Sequence, residues 1–203
     1  MRTVCQTVYG YEELSESAKH AALDAHRYTE VEFGDWWDAV YEDAIEIGAI
    51  LGIEISEIWF SGFASQGDGA CFEGRYSYRT GWKRALDSFV GGPDLEILTD
   101  IGRQLRDAQH PHFYQLEATV NHRGRYCHEF TTEIDVFPPD LPVGAWWDSR
   151  HGSHEEIPEA LRRFMRWIYH SLEREHDWLT SDEAVAEAII AKGYEFTEDG
   201  RPA

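Results

Sequence analysis

The order of hydrophobic periodicities constrains this chain more than any other feature. Stretches that alternate every two residues come in adjacent pairs, and stretches that repeat every three to four residues also come in pairs. The pattern reads as a short strand at 3–9 and helices at 15–28 and 35–51. Strands at 55–63 and 70–78 follow, then helices at 82–89 and 94–109. A hairpin at 113–122 and 126–137 precedes helices at 155–177 and 181–192, and 195–197 adds an edge strand. Runs of strands alternating with runs of helices predict an α+β fold. The expectation is a single domain over 1–203, with an antiparallel sheet of four or five strands and about six helices packed mainly on one face. An acidic helical subregion spans 154–203.

Several elements carry sharper expectations. In 35–51, Trp36, Val40, Ala44, Ile47 and Leu51 form an apolar stripe, opposite Asp35, Asp38, Glu42 and Glu46. Around Ile58, Trp59 and Phe60 the strand is apolar at both parities, which predicts a central position in the sheet. In the hairpin, both apolar sets are even-numbered: Tyr114, Leu116, Ala118 and Val120, then Tyr126, His128, Phe130, Ile134 and Val136. Residues opposed across two strands share a face, so the loop must be odd in length. The shortest solution is Arg123-Gly124-Arg125 with Gly124 at positive φ, pairing Val120 with His128 and Ala118 with Phe130. The other strand faces carry Glu73, Arg75, Glu117, Glu129 and Glu133. This polar face is open if the helices cover one side.

Charge narrows the partners. The 203 residues hold 38 acids against 18 Lys and Arg, a formal net charge of −20. Residues 1–60 carry 13 acids and 3 bases, and 131–203 carry 16 and 7, while the middle is near neutral. Direct binding to nucleic acid, which needs cations against phosphates, is disfavoured, and so is an anionic membrane surface. No run of about 18 apolar residues exists for a membrane span, and no apolar core of a secretory leader is visible near the first residues. Three widely spaced cysteines, Cys5, Cys71 and Cys127, fit a reducing compartment.

Candidate chemistry is sparse. Ser65, Gln66, Asp68 and Cys71 surround two glycines, and a nucleophile beside a carboxylate and backbone donors would suit acyl transfer. Asp-Gly is equally a common turn dipeptide, and neither a phosphate loop nor a nucleophile elbow is present. His122, Cys127 and His128 invite a metal. On a strand, however, Cys127 and His128 would face opposite sides, so no metal and no cofactor are expected. Trp146 and Trp147, in a proline-containing loop, join the acidic row as candidate partner-binding residues, because exposed aromatics beside acids resemble interface hot spots.

The stretch from Ile58 to Gly74, IWFSGFASQGDGACFEG, resembles a block in small acidic proteins encoded by phages and prophages. So do Phe113-Tyr-Gln-Leu-Glu, the His122 to His128 segment, and the tail from Leu179 through Gly200. Some members carry a loose label as antitoxins of toxin–antitoxin systems. The resemblance implies the cytoplasm of an infected bacterium, where such proteins disarm nucleic-acid machinery, including CRISPR complexes and restriction enzymes. Together with the charge, it leads to a non-enzymatic accessory protein: an anti-defence inhibitor such as an anti-CRISPR, or an antitoxin. Such a protein would block a basic, nucleic-acid-binding host protein or toxin with a phosphate-like acidic surface. The alternatives are a small cytoplasmic enzyme using the Ser65–Cys71 loop, and an interaction module using the open sheet face. Spare tryptophans on an acidic surface also allow a homodimer.

Overall fold

The computed structural model describes residues 6–138 and 153–203. The expectations for Trp146 and Trp147 lie outside the described residues. The chain forms two compact units, 39–172 and the combination of 1–38 with 173–203. The architecture is α+β, with a four-stranded and a two-stranded sheet, both antiparallel.

The larger unit is built on strands β2 (Ile53–Phe60), β3 (Ala70–Ser77), β4 (Glu117–His122) and β5 (Thr132–Phe137), in that spatial order; β1 (Tyr9–Gly10) belongs to the other unit. Helices α2 (Asp38–Leu51), α3 (Trp82–Phe89), α4 (Gly92–Gln109) and, as far as Leu172, α5 (Ser153–Leu179) accompany them. Ile157, Leu161, Phe164, Ile168 and Leu172 of α5 recur every three or four residues and are fully buried. The Phe164 ring meets Phe72 of β3 edge-on, 6.2 Å between centroids. From α4, the buried Gln109 completes β4 from its side chain: its Nε2 donates to the Leu116 carbonyl at 2.6 Å, and its Oε1 accepts from the Leu116 N–H at 3.0 Å. Each large apolar side chain buried here contributes about 1.5–3 kcal/mol.

Two sequence expectations for the sheet are corrected. The strand around Ile58-Trp59-Phe60 is an edge, not a centre. It reads apolar on both sides because the Trp59 ring lies against His122 (4.9 Å) while Phe60 stacks on Phe63 (5.8 Å). The second correction concerns the hairpin. Its parity is as derived, but Val120 pairs with Ile134 and Ala118 with Val136, so the connection runs over 123–131. Gly124 does take positive φ (90°). Residues 126–131 leave the strand because they satisfy one another locally. The His128 ring nitrogen Nδ1 accepts from the Phe130 N–H at 3.3 Å, and the Thr131 hydroxyl, 2.6 Å from the Tyr126 carbonyl, accepts from the His128 N–H. A 3-10 turn, Glu129–Thr131, results. Tyr126 and Phe130, expected inward, are exposed.

In the smaller unit, helices α1 (Glu16–His26) and α6 (Asp182–Lys192) pack around Ala18, Ala22, Leu23, Val185, Ile189 and Phe196. Ser15 and Ser181 cap them, accepting from Ala18 and Ala184 N–H groups. Strands β1 (Tyr9–Gly10) and β6 (Glu195–Phe196) pair antiparallel. Arg27 bridges Asp24 and Asp182 at 3.0 and 2.8 Å, tying α1 to α6.

Candidate functional site

Three places gather the residues that the sequence singles out. The first is α2. Asp38, Glu42 and Glu46 are exposed at spacings of four, while Ala44, Ile47 and Leu51 on the other side are buried. Among the described residues, none of the three carboxylates forms an ion pair. Asp35 does not continue the row. The helix starts at Asp38, and residues 34–37 form turns in which Trp36 packs edge-on against Trp37 (5.6 Å) and His176 (5.8 Å). Trp36 is therefore not part of a helical stripe.

The second place is the β2–β3 connection. Asp68 Oδ2 accepts from the backbone N–H groups of Ala64 (3.0 Å) and Ser65 (2.7 Å), and the Asp68 N–H donates to the Ser65 carbonyl. Gly67 sits at φ 94°. Asp68 is thus engaged in holding the turn. Cys71 is fully buried, and burial pushes its thiol up to about 12, so it stays protonated and a poor nucleophile at neutral pH. Gly69 lies beneath the 123–131 segment, where an added Cβ would stand 2.8 Å from His128 Cδ2.

At that end of the sheet, His122 Nε2 lies 2.9 Å from the Tyr126 carbonyl. A carbonyl only accepts, so Nε2 carries the proton. The strand-parity argument against a shared ion does not apply to Cys127 and His128, since both lie in the connection. Among the described residues, no three His, Cys, Asp or Glu side chains are arranged to hold a metal ion. Glu129, expected on the open sheet face, is instead buried in the 3-10 turn. Its Oε1 takes Arg166 Nη1 at 3.3 Å, and Arg166 reaches Glu159 at 2.6 Å. Nothing in the local sequence marks this pair, which spans the hairpin connection and α5.

The third place is the sheet face turned away from Phe72, Tyr76, Ala118 and Val120. Register sets its occupants, because paired residues share a side. Glu54 stands opposite Arg75, which stands opposite Thr119, which stands opposite Asp135. Glu57 stands opposite Glu73, and Asn121 opposite Glu133. Glu54, Glu57, Arg75, Asn121 and Asp135 are exposed. Extra residue Ser56 makes a bulge in β2, and its hydroxyl donates to the Glu73 carbonyl at 3.0 Å. A depression of about 450 Å³ lies here across β2, β3 and β4.

Residues 36–182 match the family described as a domain of unknown function (DUF8835). The chain belongs to that family. No curated protein and no solved structure matches it. The DUF8835 region contains the four-stranded sheet, the 65–71 loop and the acidic positions of α2, and leaves Asp35, α1 and β6 outside. No described helix is long and apolar enough to cross a membrane.

Proposed function

We propose that this DUF8835 protein acts by binding rather than by catalysis, covering a basic surface of a nucleic-acid-binding protein. The observation that carries this reading is the row Asp38, Glu42 and Glu46. It is solvent-exposed, without ion pairs among the described residues, and mounted on a helix whose other side is buried. Carboxylates three or four residues apart on a helix lie roughly 5–6 Å apart, comparable to phosphates along one strand. A row of this kind meets an arginine or lysine groove, and long-range attraction speeds the encounter. The resemblance to phage and prophage proteins supplies the setting: an anti-defence inhibitor or an antitoxin in the bacterial cytoplasm. The engagement of Asp68 and the burial of Cys71 support reading the 65–71 loop as a turn rather than a reaction centre.

The test is to capture the partner from infected or lysogenic cells and to measure its binding to the wild type and to a protein with Asp38, Glu42 and Glu46 changed to Gln. The expected loss is at least about tenfold, roughly 1.4 kcal/mol, mainly in association rate. Wild-type affinity should fall as salt rises, because exposed charges are screened beyond about 8 Å at physiological ionic strength. Salt-independent binding that survives the triple change would overturn the reading.

A further inference from the structure

Glu57 and Glu73 face each other directly across β2 and β3, on the open side of the sheet. Like charges directly opposite destabilise an antiparallel pair, and no lysine or arginine among the described residues pairs with either. Glu73 is held in place, since its Oε1 accepts the His122 N–H at 3.1 Å. One register step away, beside the Ser56 bulge, lies the depression that Glu54, Ser56, Glu73, Arg75 and Asn121 rim. The half-buried Trp59 lies two residues along β2 from Glu57, with its ring against His122.

From this arrangement we infer that the open sheet face is a docking surface for an arginine-bearing segment of the protein partner, with a guanidinium seated between Glu57 and Glu73. The inference rests on the reading of a basic partner and places a second contact on a different surface from α2. Charge complementarity selects the occupant. Among the paired positions of this face, Glu54, Glu57, Glu73, Glu117, Glu133 and Asp135 are acidic and Arg75 is the one cation, while Arg123 of the hairpin connection already pairs with Glu133. A second copy of the same face would repel it. A guanidinium fits better than an ammonium, because its planar fork binds two carboxylates at once and stacks on an indole. Binding would set a positive charge between these two carboxylates.

The experiment uses the whole chain, isotope-labelled, titrated with nona-arginine and separately with nona-lysine and followed by amide chemical shifts. Shifts should concentrate at residues 54–57, 73–75 and 119–121, with nona-arginine binding more tightly. Glu57→Gln with Glu73→Gln should weaken nona-arginine about tenfold while leaving the thermal midpoint equal or higher, since the repulsion is removed and the new amide oxygen at position 73 still accepts the His122 N–H. The α2 triple variant separates the two surfaces. Loss of binding in the α2 variant but not in the sheet variant would overturn the sheet inference and leave the α2 reading standing. Loss in the sheet variant alone would support the sheet and overturn the α2 row. Equal affinity for both peptides would overturn the assignment of arginine.

Discussion

Gly74 of β3 lies directly beneath the Glu54 carbonyl of β2, so closely that a Cβ at position 74 would overlap that oxygen and stand 3.2 Å from the Ile55 Cα. The Ser56 bulge draws the edge strand inward here, and only a residue without a side chain admits it. Gly74→Ala should therefore destabilise the protein by about 1–3 kcal/mol, as overpacking does. Urea unfolding measures this, and a loss under about half a kilocalorie per mole would mean that the bulge relaxes freely.

Gln109 acts as a piece of strand made from a side chain. Replacing it with Ala leaves the Leu116 N–H and carbonyl buried without partners, at about 1–3 kcal/mol for each group. Glu at this position keeps the acceptor but loses the donor to the Leu116 carbonyl, so it should not restore stability. Denaturant midpoints of the two variants distinguish these outcomes.

The alkaline limb of stability belongs partly to Cys71. Its thiol is raised from 9.0 to about 12, chiefly by burial. The unfolded chain therefore gives up this proton first. The contribution is intact below pH 9 and is lost progressively from pH 9 towards 12, with a slope of about 1.4 kcal/mol per pH unit. Tyr76, also raised by burial, adds to the loss above pH 10. Cys71→Ala should flatten the profile between pH 9 and 10, and unfolding curves at successive pH values would reveal an unchanged slope if the thiol were already ionised in the fold.

For the 65–71 turn, Asp68→Ala removes the acceptor for two backbone donors, and Gly67→Ala forces a side chain into φ 94°. Each should cost about 1 kcal/mol and leave partner binding unchanged. A folded Asp68→Ala or Cys71→Ala protein that lost its biological activity would restore the loop as a reaction centre.

The elements whose signal is local were legible from the residues alone. The stripe Ile157, Leu161, Phe164, Ile168 and Leu172 specifies α5 and its buried side, and Ser15, Ser181 and Gly193 mark helix ends, because caps and 3.6-residue periodicity involve neighbours along the chain. The parity of the hairpin was legible for the same reason, since alternation reports which side a residue takes. Its length was not. Whether residues 126–131 extend the strand or cap themselves depends on His128, Thr131 and the ion pair of buried Glu129 with half-buried Arg166, which joins residues far apart in sequence. The edge position of β2, the opposition of Glu57 and Glu73 and the fit of Gly74 beneath Glu54 are likewise facts of strand order and register. Composition set the sign of the charge, and only tertiary pairing decided where two like charges would be held together, because register is chosen by the buried side of the sheet and the open side has to accept it.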